Sequence, residues 1–177
     1  MNTAKDAAVE ARALQDVETH HADMLKQLNG LVGLLVEALE AGDSPAGERA
    51  QAALLDWCDS DLVPHALAEE GLLYEGPRAR PEGKLLVEGM LAEHRVIVEL
   101  VDELRTATGV QAAIAGSLIQ RIFALHLDKE NRLLLPFIAE SPGLSLAGSV
   151  EGLHELTGES AVRHGHGHAH GHDAGHH

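Results

Sequence analysis

PHALAEEGLLYEG, residues 64–76, has a near-copy in LHLDKENRLLLPF, residues 125–137. Each stretch spells His, three residues, Glu, a polar residue, and then an apolar run that ends near Pro or Gly. A His and a Glu four positions apart lie on one face of an α-helix, one turn from each other, and can present two polar atoms to a single point. The chain writes the pair twice, as His65/Glu69 and His126/Glu130, 61 residues apart. What surrounds the two pairs decides both the fold and the chemistry.

Working outward, three breaks rich in Gly, Pro and small polar residues divide the chain: AGDSPAG (41–47), EGPRARPEG (75–83) and TATGV (106–110). The segments between them predict helices over 6–40, 47–75, 83–106 and 110–139, the last closed by ESPG (140–143). Apolar residues recur at spacings of three and four, the mark of a seam packed against other helices. The first segment carries Leu14, Val17, Met24, Leu28, Leu31 and Leu35, and the third Val87, Met90, Ile97, Val101 and Leu104. Leu54, Cys58, Leu62 and Leu72 mark the second; Ala115, Ile119, Ile122, Leu133 and Phe137 mark the fourth. Pro64, lacking an amide donor, should kink the second segment or start a new helix there. Four helices joined by short loops predict an all-α, antiparallel up-down-up-down four-helix bundle. The expected organisation is one bundle over 1–140, an extension over 141–163 whose amphipathic piece 145–156 folds back on it, and a flexible His-rich tail over 164–177.

Polar residues interrupt every seam. His21 stands between Leu14 and Leu28, and His94 between Met90 and Ile97. His65 and Glu69 lie between Leu62 and Leu72, and His126 and Glu130 between Ile122 and Leu133. In antiparallel hairpins, residues that face each other are equidistant from the loop. The midpoints of His21/His65, His65/His94 and His94/His126 fall at 43, 79.5 and 110, each in or beside one of the three breaks. All four histidines therefore stand at one height. A buried polar group without a partner costs roughly 2–7 kcal/mol, and an isolated carboxylate far more, against a total stability of about 5–15 kcal/mol. Six of them need a common partner. Four imidazoles and two carboxylates suffice for two metal ions, with the glutamates bridging. Mixed nitrogen and oxygen donors without thiolate suit iron best, with manganese or zinc as alternatives. Two ferrous ions bring four positive charges against two negative ones, so an oxo or hydroxo bridge or an exogenous anion completes the site.

Composition narrows the rest. The formal net charge is −15, with no cluster among the 13 Lys and Arg residues. Nucleic acid and anionic membrane both require positive surface, so neither is an expected partner. The single Cys58 cannot form an internal disulfide, and no leader or long apolar run stands out, which together predict a cytoplasmic protein.

At these residues the chain resembles the hemerythrin-like family of HHE cation-binding domains, over about residues 8–139. The resemblance is carried by His21, PHALAEEGLLY, the AEHRVIVEL stretch around His94, and HLDKENRLLLP. It implies a four-helix bundle around a non-haem di-iron centre, with His21, His65, Glu69, His94, His126 and Glu130 as ligands by position. Oxygen-carrying members place two histidines a turn apart on the third helix; here the positions a turn from His94 are Met90 and Val98. Fewer imidazoles leave more exchangeable positions, which implies dioxygen, peroxide or nitric oxide as ligand. The role implied is sensing, or that of an oxidase, peroxidase or nitric oxide reductase. No nucleophile–base pair, nucleotide loop or substrate-anchoring Arg lies on the seams, so catalysis would have to come from the metal.

His20 stands about 100° around the helix from His21 and reads as a surface residue. Glu70 reads as a solvated residue or a partner of a ligand, and Tyr74 as packing at the bundle end. Asp61 and Cys58, one and two turns before His65, are within reach of the site. The tail holds seven of the 13 histidines and should chelate transition metals whatever the fold. An alternative function follows from it: storage or relay of iron or another divalent ion, with the tail as collector.

Overall fold

Asp6 starts the first helix, its carboxylate accepting the backbone N–H groups of Ala8 and Val9. The residue is in extended conformation, the usual arrangement of an N-cap. The computed structural model describes residues 6–157. Every regular element among them is helical: α1 (Ala7–Glu40), α2 (Ser44–Trp57), α3 (Val63–Leu72), α4 (Glu75–Arg78), α5 (Pro81–Thr106), α6 (Val110–Lys129), α7 (Leu135–Glu140) and α8 (Leu146–Thr157). The end of the extension and the His-rich tail lie outside the described residues.

The breaks are shorter than the sequence predicts. Asp43 caps α2 by accepting from Ala46 N–H, and Pro45 sits in the first turn, where a missing amide costs nothing. Within EGPRARPEG the backbone still makes one helical turn, α4, before Pro81 opens α5. The α4–α5 corner leaves no room for a side chain at Gly83, where a Cβ would stand 2.6 Å from the Pro77 carbonyl oxygen and 3.0 Å from the Phe137 ring.

Two prolines inside long helices are accommodated in the same way. A π-helical turn, Cys58–Leu62, joins α2 to α3, and a second, Glu130–Leu134, joins α6 to α7. Val63 N–H bonds Cys58 C=O and Leu135 N–H bonds Glu130 C=O, each five residues back and each just before a proline. Proline supplies no donor and crowds the carbonyl four residues earlier, and the wider turn relieves both conflicts without breaking the helix. The extra residue also shifts the seam. Leu133, expected inside, is about half exposed at 53%, and Leu134, Leu135 and Ile138 take the core positions. Likewise Leu73 is buried where Leu72 was expected, while Leu72 packs against α8 at Gly152.

The apolar core is in two parts. One cluster includes Met24, Leu28 and Leu35 of α1, Leu54 and Leu62 from the second run, Ile97 and Leu104 of α5, and Ile119 and Phe123 of α6. The other includes Ala13 and Val17, Leu73 and Tyr74, Val87 and Met90, Leu134 and Ile138, with Leu146 and Val150 of α8. Along each of the four long helical runs the residues separating the clusters are polar: His21, His65 with Glu69, His94, and His126 with Glu130. The α8 helix seals one end. Its start is fastened to α1 by the buried carboxylate of Glu10, which accepts from Ser145 Oγ at 2.9 Å and Leu146 N–H at 2.8 Å. The run Val110–Glu140 is long and apolar enough to cross a membrane by length and composition. Here it gives Ile119, Phe123, Leu127 and Leu134 to the core.

Candidate metal centre

All six polar seam residues are buried, with between 0 and 7% of their surface exposed, and their side chains converge on the layer between the two apolar clusters. Neighbouring groups fix the direction in which three of the four imidazoles point. His21 Nδ1 lies 2.7 Å from Asn131 Oδ1, His94 Nδ1 2.8 Å from Glu70 Oε1, and His126 Nδ1 3.1 Å from Glu93 Oε2. Lys129 pairs with Glu93 and holds it in place. These oxygens can only accept, so each Nδ1 donates its proton and each neutral ring turns a bare Nε2 lone pair inward. His94 Nε2 and His126 Nε2 face each other at 3.0 Å. Two lone pairs at that separation repel unless positive charge stands beside them.

The carboxylates complete the pattern. Glu69 Oε1 lies 2.9 Å from His65 Nε2 and 3.3 Å from His21 Nε2, whereas its Oε2 faces His94 Nε2 at 3.8 Å. Donor atoms of His21, His65 and Glu69 lie within 4.8 Å of one another, and so do those of Glu69, His94 and His126. Glu69 thus belongs to both triads, one oxygen toward each. Glu130 Oε2 stands 3.7 Å from His21 Nε2 and 3.7 Å from His126 Nε2, again between a member of each triad. The buried Oε2 atoms of Glu69 and Glu130 have no hydrogen-bond partner among the described residues. Nitrogen and oxygen ligands held about 2.1 Å from one ion at right angles are about 3 Å apart, so these separations suit a cation in each triad. The donor set fits a bound metal ion.

Protonation follows the same geometry. Burial would raise Glu69, but the positive charge of the facing His65 and His21 rings, when they are protonated, outweighs it and holds the carboxyl well below its usual range. Glu130 goes the other way, raised well above its usual value by burial and then by the charge of Glu69. Burial, with His94 nearby, lowers His126 to about 4, which keeps its ring neutral. Tyr74 is raised by burial and by the two glutamates, so its hydroxyl keeps its proton. It donates to Glu130 Oε1 at 2.6 Å, and its ring stacks on His94 with centroids 5.5 Å apart.

Tyr74 therefore belongs to the site as well as to the core. Glu70 accepts from the His94 imidazole across the gap between α3 and α5. His20 lies at the margin, half-buried, with its ring centroid 5.2 Å from that of His65. Cys58 is packed in the apolar cluster, its thiol pushed up to about 12 by burial, and Asp61 is exposed. Met90 is fully buried and Val98 is 40% exposed, so α5 contributes one imidazole. Glu93 and Asn131 escaped the sequence reading. The available signal was adjacency: each directly follows or precedes a residue of the inward set, at the angle from which a side chain reaches the neighbouring helix.

No curated protein and no solved structure matches the chain. The sequence model of the hemerythrin HHE cation-binding domain matches residues 12–138, a span that contains every member of both triads. With a buried His and Glu cluster able to hold metal at its centre, the chain belongs to the hemerythrin HHE cation-binding domain family.

Proposed function

We propose that His21, His65, Glu69, His94, His126 and Glu130 hold two iron ions with an oxo or hydroxo bridge. Glu69 and Glu130 link the two ions, and the protein fold is the antiparallel up-down-up-down bundle of four helices. The centre takes dioxygen, peroxide or nitric oxide as its small ligand, in a sensing or oxidoreductase role, in the cytoplasm. The observation that carries this reading is the sharing of Glu69: one oxygen faces His21 and His65, the other faces His94.

Bound iron would supply Lewis acidity and one-electron redox chemistry. The chain supplies the rest. Glu70, Glu93 and Asn131 accept the Nδ1 protons and so orient three rings with Nε2 inward. The two apolar clusters exclude bulk water above and below the layer. Tyr74 holds a proton on its hydroxyl 2.6 Å from Glu130 Oε1 and 3.1 Å from His126 Nε2. Iron analysis tests the proposal: protein loaded with ferrous salt and then aerated should hold about two irons per chain and absorb as a bridged ferric pair. Protein that retains only zinc under iron supply would refute the redox role.

A further inference from the structure

The centre is buried, so a small ligand needs a path to it. One cavity, of about 520 Å³, is lined by Glu70, Gly71, Tyr74, Glu75, Arg78, Leu91 and Arg95. Two of these residues touch the candidate ligands directly. Glu70 accepts from His94 Nδ1, and Tyr74 stacks on His94 while donating to Glu130. They form the floor. Tyr74 is 1% exposed and bonded on its inner side, so it is the fixed half. The Glu70 side chain is 36% exposed and is bonded to His94 Nδ1 at 2.8 Å.

The charges of the cavity are unusual for this molecule. In a chain with a formal net charge of −15 it pairs two arginines with two glutamates. Arg78 is engaged by Glu88 at 2.8 Å, and Glu70 by His94. Arg95, one residue beyond His94, has no ion-pair partner among the described residues, which leaves its guanidinium available to an incoming anion. Elsewhere an acidic surface repels anions; here the lining itself carries as many arginines as glutamates, and Arg95 is the cation without an ion-pair partner among the described residues.

Resting on the proposed di-iron centre, we propose that this cavity is the ligand port, that Leu91 lines its throat, and that Arg95 draws small monoanions through it. Azide, a monoanion that ligates ferric iron, and uncharged nitric oxide on the ferrous form are the probes, and stopped-flow absorbance gives the binding rates. Leu91→Trp should slow both probes by roughly tenfold, while the iron content and resting spectrum stay as in the parent protein. Arg95→Glu should slow azide by about fivefold at low salt and flatten its dependence on ionic strength, with nitric oxide within about twofold of the parent. Leu34→Trp, in the groove between α1 and α2, is the control for surface bulk. Parental azide and nitric oxide rates in Leu91→Trp, with iron bound, would overturn the port. Slowing by Leu91→Trp with no effect of Arg95→Glu on azide would overturn the anion selectivity. Failure of the parent protein to bind iron would instead strike the centre itself, and is read from metal analysis before any kinetics.

Discussion

Glu69→Gln separates a metal centre from a buried hydrogen-bond network, because the two predict opposite dependence on metal. In metal-free protein Asn131, Glu70 and Glu93 accept the Nδ1 protons of His21, His94 and His126, so these three rings turn Nε2 inward. Glu69 Oε1 then lies 2.9 and 3.3 Å from two ring nitrogens, and Oε2 is buried without a partner. Glutamine keeps the shape and offers N–H donors to those nitrogens, so the metal-free variant should unfold within about 1 kcal/mol of its parent. With iron the balance changes. Both triads lose the same charged member, and the stabilisation that ligand binding adds, about 4 kcal/mol at a thousand times the dissociation constant, disappears. At about 2–4 °C per kcal/mol for a chain of this size, the loaded variant should melt about 8–16 °C below the loaded parent. The assay is anaerobic thermal unfolding by circular dichroism, with ferrous iron and with chelator. An equal shift under both conditions would show that Glu69 serves packing and hydrogen bonding alone, and the two-ion reasoning would fail.

Three further outcomes are expected. His126 has a folded pKa lowered to about 4 from 6.5, so the fold favours its neutral ring; the stabilisation is present above pH 6.5 and is lost as pH falls toward 4. Metal-free protein should therefore lose about 3 kcal/mol over that window in urea titrations, and His126→Gln should flatten the slope. Tyr74→Phe removes the hydroxyl that donates to Glu130, and should cost about 1–3 kcal/mol in urea unfolding while leaving iron stoichiometry unchanged; loss of iron along with the hydroxyl would make Tyr74 a ligand instead. Removing residues 164–177 should abolish nickel or zinc uptake beyond the core ions at pH 7.5 and leave the iron spectrum intact; loss of core iron on truncation would tie the tail to loading.

The legible part of this protein was its periodicity. His21 and His94 stand where a seam calls for Leu, and the duplicated His-x-x-x-Glu phrase places two more pairs on the same faces, so the inward set could be read from spacing alone. The four long helical runs follow from the same pattern and from the three Gly and Pro breaks. What spacing could not convey was the local backbone response to proline. Pro64 and Pro136 each bring a π-helical turn, and the second moves the core from Leu133 and Phe137 to Leu134 and Ile138. A periodic template assumes 3.6 residues per turn throughout and cannot register the extra residue. Partners of the inward imidazoles were harder still. Glu93, Glu70 and Asn131 look like surface residues in sequence because they lie off the seam, and only the approach of a neighbouring helix turns them toward a ring nitrogen. Tyr74 has the opposite ambiguity, since its ring packs in the apolar cluster while its hydroxyl reaches the polar layer.

Anomalous diffraction at the iron edge, from crystals grown with excess ferrous iron, tests the central claim most directly. Two peaks are predicted, one among His21, His65 and Glu69 and one among Glu69, His94 and His126, with Glu69 and Glu130 between them. A map at full iron supply in which these side chains bond only to one another, with no peak in either triad, would contradict it.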